Sequence, residues 1–382
     1  MLKIPFNKPC VLGNEDKYLQ ELIKSKSFAG DNKFTKACKS KIEELYSNSK
    51  CLMTPSGTAG LELATFLINL QPNDEVIMPS FTFSSTATSV TLRGAIPVFI
   101  DIRPDTMNID EKLIEQAITS KTKAIIPVHY AGVSCEMDTI IQIAQKHNLK
   151  IIEDAAQAIL CTYKGKLLGT FGEASAISFH ETKNIQCGEG GAALINNNDY
   201  FPKAEIYREK GTDRSQFFRG EIDKYTWVDN GSSYLPSELT MAFLLSQLEN
   251  INHIISERID KWNLYLKLFK ESNLNTYLEF PNIPDECKHN GHIFWIKTKD
   301  LTQRQRLIEY LKSLGISSVF HYVPLHSSPA GKRFGRFCGQ DNFTTRESER
   351  LLRLPLYYGI SKEEIEYVFE SVGGFYNNRR DK

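Results

Sequence analysis

Short apolar runs alternate with stretches whose apolar residues recur every three or four positions, and this alternation holds over about 140 residues. The runs KCLMTP (50–55), DEVIMPS (74–80), IPVFID (96–101), TKAIIPVHY (122–130), LKIIEDA (149–155), ASAISF (174–179) and GAALIN (191–196) read as strands. Between them, TAGLELATFLINL (58–70), SSTATSVTLRG (84–94), IDEKLIEQAI (109–118) and MDTIIQIAQKH (137–147) carry helical spacing. Strands that alternate with helices predict an α/β fold, a mostly parallel seven-stranded sheet between helices. Ligands of such sheets sit beyond the carboxyl ends of the strands.

The pattern changes after residue 200. Residues 237–272 read as one long helical stretch joining two units. HIFWIKT (292–298) and SSVFHYV (317–323) then read as strands, RQRLIEYLKSLG (304–315) as a helix, and a last helix is expected near 361–372. The expected division is a large α/β domain over 1–250, with an N-terminal helical segment, and a smaller α+β domain over 251–382 whose charged end, NNRRDK, reads as a frayed tail.

Composition narrows the function classes. The 382 residues are 41% hydrophobic and 24% charged, which argues against disorder. Lys plus Arg and Asp plus Glu both number 46, so no global field draws the chain to nucleic acid or to an acidic membrane. The start, MLKIPFNKPCVLGNED, has no apolar core of a secretory signal, and the longest apolar runs are strand-sized. Eight scattered cysteines without a CxxC pair argue against a zinc site and a disulfide framework, so a reducing, cytoplasmic setting with no metal is expected.

The chemistry gathers at the predicted strand ends. After CLMTP comes SGTAG (56–60), where glycine admits a close backbone approach and the helix start offers free N–H groups to a phosphate. After EVIMP comes SFTFSS with Phe81 and Phe83, and after LKIIE come Asp154 and Gln157. After ASAI comes SFHETKN, with Lys183 five residues beyond Ser178. Each feature alone is common. Together they supply a phosphate cradle, an aromatic face, a carboxylate and an amine, the four groups that pyridoxal 5′-phosphate requires. In that reading Lys183 condenses with the cofactor's aldehyde and moves protons, while Asp154 keeps the pyridine nitrogen protonated.

PSGTAGLELA, MPSFTFSSTA, EDAAQA and SFHETKNIQCGEGGA, in this order and spacing, resemble the sugar-nucleotide aminotransferases of the DegT/StrS type, which are fold-type I pyridoxal phosphate enzymes. The resemblance runs from IPFNKP to LPLYYGIS. It implies Lys183 and Asp154 as catalytic residues and Gly57, Thr58, Phe81, Gln157 and Ser178 as further cofactor contacts. It also implies a homodimer, or a dimer of dimers, with sites completed by the partner. Ser233, in GSSYL, stands where many relatives place an asparagine that reaches the partner's phosphate. Residues 208–239 and 319–331 resemble members that aminate dTDP-4-keto-6-deoxy-D-glucose with L-glutamate, giving dTDP-4-amino-4,6-dideoxy-D-galactose for enterobacterial common antigen. Arg214 and Arg219, within a cluster that includes Arg208, Lys210 and Lys224, are candidates for the diphosphate. Tyr225 and Trp227 are candidates for stacking on thymine or for a dimer interface, and His321 and His326 for the sugar pocket. Three alternatives stay open: amination at C3, a sugar dehydratase, and a non-catalytic regulator of the same fold. The dehydratases carry histidine in place of the lysine; His180 is near, but Lys183 keeps the transaminase motif.

Overall fold

The computed structural model describes residues 3–377. Met1, Leu2 and residues 378–382, most of the expected frayed tail, lie outside that range. Seven strands are where the apolar runs place them: β1 (Lys50–Thr54), β2 (Glu75–Pro79), β3 (Ile96–Ile100), β4 (Thr122–Ile125), β5 (Lys150–Asp154), β6 (Ala174–Ser178) and β7 (Gly191–Ile195). They join one sheet in the order β1-β7-β6-β5-β4-β2-β3. Strands β6, β5, β4, β2 and β3 pair in parallel, whereas β7 runs antiparallel to both β1 and β6.

Neighbouring side chains of a strand point to opposite faces, so a sheet covered on both sides is apolar at every position. In β2, Val76 and Met78 enter one core cluster and Ile77 another. In β1, Leu52 faces the first of these clusters, while Cys51 and Met53 face a third formed with the N-terminal helices. Each such fully buried aliphatic side chain contributes roughly 1.5–3 kcal/mol of transfer free energy.

Four differences from the sequence expectation have physical causes. The sheet has an eighth strand, Arg336–Phe337, parallel to β3. Two residues are too few to show alternation. Strand β4 ends at Ile125, and the predicted continuation turns away through a single bridge at Val128 and a 3-10 turn at Tyr130–Gly132. The segment after β3 forms a 3-10 turn, Glu111–Leu113, and one α-turn, Ile114–Ala117, in place of a full helix. The long stretch 237–272 divides into helices Glu238–Glu249 and Ile251–Lys270. At the break Asn250 has φ −112° and ψ 15°, and its side-chain Nδ2 donates to the Ser246 carbonyl at 2.9 Å.

Helix Ile251–Lys270 passes from one core to the next. Ile251, Ile254 and Ile255 pack with the N-terminal helices, whereas Trp262, Tyr265 and Phe269 belong to a C-terminal cluster that also takes in Ile4. The C-terminal residues form a small antiparallel sheet of Trp295–Lys297, Leu351–Arg353 and Val319–Phe320, backed by helices Leu301–Ser313 and Lys362–Asn377. Among the described residues no helix is long and apolar enough to cross a membrane.

Candidate active site

Helix Gly57–Leu67 begins directly beyond β1, capped by the Ser56 hydroxyl, which accepts from the Ala59 amide at 3.1 Å. Its first turn lies against the ends of β6 and β7. A Cβ on Gly57 would approach the Ser178 Cβ to 2.9 Å, and one on Gly191 would come within 2.4 Å of Ser56. Only glycine permits these approaches, which bring the N–H groups of the turn beside the Ser178 side chain. The Thr58 hydroxyl bonds the Ser85 hydroxyl at 2.7 Å. Hydroxyls from three segments thus surround a helix start, a setting that favours an anion.

Asp154 ends β5 and is buried. Its carboxylate accepts from the Thr86 hydroxyl at 2.7 Å and from the Ala156 amide at 3.2 Å, which fix its direction. Gln157 accepts from the Ala131 amide at 2.7 Å and donates to the Tyr322 hydroxyl at 2.9 Å. Phe81 is wholly buried, with the rings of Tyr130 and Tyr322 edge-on at 5.1 and 5.4 Å.

Lys183 lies in the loop between β6 and β7, where its amide donates to the His180 carbonyl at 2.8 Å. Its amine forms no ion pair within the described residues. Burial pushes its pKa down to about 8; Asp154 pulls it up and Arg353 pushes it further down. A lysine so placed is neutral far more often near neutral pH than an exposed one, and a nucleophilic amine reacts in that form. His180 turns away, bonding Thr182 at 2.9 Å and lying 3.5 Å from Glu189.

The sequence-derived candidates therefore separate into groups. Gly57, Thr58 and Ser178 form the cradle, and Asp154 lies within electrostatic reach of Lys183. His321 joins this site: it bonds the Tyr130 hydroxyl at 3.1 Å, and burial, then Arg353 and Lys183, hold it neutral. His326 instead clasps a C-terminal turn to the end of β2, bonding Ser80 at 2.7 Å and Asp341 at 3.1 Å. Arg214 pairs with Glu209, and Arg219 with Glu205 and Glu221. Tyr225, Trp227 and Ser233 are exposed on the same arm, beside exposed Phe217 and Phe218.

Thr86, Tyr130, His292, Tyr322 and Arg353 escaped the sequence reading. His292 is buried and bonds the Asn184 side-chain oxygen at 2.8 Å; burial, then Lys183, Arg258 and Arg353, hold it well below the usual histidine range. Arg353 left one signal, a single charge in the apolar run Leu351–Leu356.

Comparison with known proteins agrees with this geometry. The model of the DegT/DnrJ/EryC1/StrS aminotransferase family matches residues 9–373. The GDP-perosamine synthase of Caulobacter vibrioides is 32% identical over 386 aligned residues, covering 97% of each chain. Among solved structures, the PLP form of Spr1654 from Streptococcus pneumoniae superposes with a TM-score of 0.88 at 27% identity, over 99% of both chains. PseC of Helicobacter pylori, an aminotransferase involved in pseudoaminic acid biosynthesis, does so at 0.89 and 25%, over 99% of this chain and 100% of its own.

Proposed function

The chain belongs to the DegT/DnrJ/EryC1/StrS aminotransferase family and is a pyridoxal phosphate-dependent sugar aminotransferase, and on that premise we propose that it converts dTDP-4-keto-6-deoxy-D-glucose to dTDP-4-amino-4,6-dideoxy-D-galactose with L-glutamate as donor. The observation that carries the assignment of the site is the desolvated amine of Lys183 within the field of a buried carboxylate. The glycine-lined helix start, the Ser178, Thr58 and Ser85 hydroxyls and the oriented Asp154 suit the phosphate and the ring nitrogen of the cofactor.

When bound, pyridoxal phosphate supplies an aldehyde that condenses with amines and a ring that accepts the electron pair left by a departing proton. The chain's own groups do the rest. In its neutral form, Nζ of Lys183 takes the proton from the donor's α-carbon and, in the second half-reaction, delivers one to the aminated carbon of the sugar. Asp154, held by Thr86 and Ala156, supplies a fixed negative charge that needs no reorganisation as charge develops. Gln157, anchored by Ala131 and Tyr322, orients the ring hydroxyl, and Phe81 supports the ring face.

The exposed arm carrying Phe217, Phe218, Tyr225 and Trp227 supports a homodimer in which Ser233 of each copy approaches the other copy's cradle. Eight free cysteines, seven of them buried, support a cytoplasmic setting. The helix break at Asn250 supports a division at 250/251, although Ile251, Ile254 and Ile255 beyond it still pack in the first core.

The likeness to GDP-perosamine synthase favours a second reading, a GDP-linked keto sugar. The two part on one experiment. Glutamate should bleach the visible absorbance of the loaded enzyme, and dTDP-4-keto-6-deoxy-D-glucose should restore it, with nitrogen at C4 of the product by NMR. Restoration by a GDP-linked keto sugar alone, or nitrogen at C3, would reject the first reading.

A further inference from the structure

We propose that the segment Asn290–His292 is the positioning element of the reacting centre: it ties the turn that carries Lys183 to the segment after β5 that carries Gln157, and so sets where the lysine amine stands; the proposal rests on the aminotransferase reading of that site. Among the described residues no hydrogen bond holds Nζ of Lys183, so its place is inherited from the backbone that carries it. That backbone is fixed through the next residue. The buried Asn184 side chain donates from Nδ2 to the Asn290 carbonyl at 2.8 Å, and its Oδ1 lies 2.8 Å from Nδ1 of the buried His292.

The chemistry of these groups leaves one arrangement. A backbone carbonyl only accepts, so Asn184 turns its amide nitrogen towards Asn290 and its oxygen towards His292. That oxygen also only accepts, so Nδ1 of His292 carries the proton. Burial, then Lys183, Arg258 and Arg353, keep the ring neutral, and it serves as a donor without adding charge beside the amine. The Asn290 side chain makes the second tie. Its Nδ2 donates to the carbonyls of Gln157 and Ile159, both at 3.0 Å. Asn290 thus joins residues that stand 106 and 133 positions earlier in the chain.

The clamp is itself anchored, with little room to shift. Arg258, on helix Ile251–Lys270, donates from Nε to the Gly291 carbonyl at 3.2 Å and from Nη2 to the His292 carbonyl at 2.9 Å. Gly291 has φ +61°, and a Cβ there would come within 2.8 Å of the Arg258 backbone, so only glycine lets the segment lie this close to the helix. The Asn290 Oδ1 is buried and has no donor. Such an acceptor is costly, so what the side chain contributes is the pair of bonds made by its Nδ2. Lys183 and Gln157 address one ring from two loops, and a shift of about 1 Å in a reacting group costs on the order of 100-fold in rate. A single segment bonded to both loops holds that spacing.

The test follows the condensation of Lys183 with pyridoxal phosphate, amine and aldehyde joining with loss of water, on the full-length cofactor-free protein. Visible absorbance reports that bond. Pyridoxamine phosphate, which has the ring and the phosphate but no aldehyde, reports the cradle alone. Asn184→Ala and His292→Leu should slow the capture of pyridoxal phosphate on the order of 100-fold and leave the affinity for pyridoxamine phosphate unchanged. His292→Asn places an amide N–H where Nδ1 stood and should restore most of the rate. Parallel losses for the two cofactor forms, capture at the wild-type rate by Asn184→Ala, or no rescue by His292→Asn would overturn the proposal and leave the aminotransferase reading standing. Should His292→Leu not fold, Asn184→Ala, confined to the loop, carries the same test. A wild type that captures no pyridoxal phosphate would remove the aminotransferase reading, and the role of the clamp with it.

Discussion

Two lysines sit in low-dielectric surroundings, one in the loop after β6 and one in the C-terminal sheet. Lys297 is completely buried and lies 2.8 Å from the equally buried Glu347, which also pairs with Arg346 and Arg350. Burial lowers its pKa while Glu347 opposes that shift. Lys183 is desolvated too, but its carboxylate, Asp154, acts on it without an ion pair, and Arg353 pushes against its charge. The first arrangement compensates a buried charge; the second leaves the amine poised to lose it. The arginines repeat the contrast three residues apart: Arg350 pairs with Glu279 and Glu347, whereas Arg353 donates only to the Phe320 carbonyl and has no ion pair among the described residues.

The largest expected effect breaks the site and spares the scaffold. Lys183→Ala should lower turnover by at least about 1000-fold and remove the visible absorbance. Its thermal midpoint should equal or exceed that of the cofactor-free wild type, because no desolvated amine remains. A marked loss of stability would make Lys183 a structural residue like Lys297.

Glu347→Gln reverses the experiment. It leaves Lys297 buried without its anion, so denaturant unfolding should show a loss of about 3–5 kcal/mol. The folded fraction should keep its absorbance and respond to glutamate. Loss of activity at unchanged stability would erase the distinction between the two lysines.

The smallest effect is a shift along the pH axis. Capture of pyridoxal phosphate by the cofactor-free protein should rise through a midpoint near pH 8, where burial places Lys183. Asp154 raises that value and Arg353 lowers it, so Asp154→Asn should move the midpoint down and Arg353→Met should move it up. The linkage has a definite sign. Lys183 titrates below its ordinary value of 10.5, so the folded state disfavours its charge, and stability of the cofactor-free protein should climb as pH rises from about 8 towards 10.5. Movement of both variants in the same direction would remove the opposing fields on which the comparison rests.

The strand-end half of the site was legible because local pattern and chemistry coincide there. Gly57, Asp154, Ser178 and Lys183 each lie at or shortly after the end of an apolar run, and strand-end placement follows from the alternation of strands and helices. The other half was not. His292, His321, Tyr322 and Arg353 come from a region more than 100 residues further along the chain, and the one local mark of Arg353, a charge inside the apolar run Leu351–Leu356, does not say what it faces. The cluster of Arg214 and Arg219 shows the reverse error source: cations close in sequence suggested an anion site, while Glu205, Glu209 and Glu221, equally close in sequence, take up their charge.

From residue order alone follow the sheet, the turn that can cradle a phosphate, and the placement of one amine and one carboxylate near the ends of strands, because hydrophobic period and glycine placement act over a few residues. Which buried cations are neutralised and which stay open is decided only when the C-terminal sheet closes against Phe6, Tyr130 and the loop of Lys183, since electrostatic environment depends on neighbours in space.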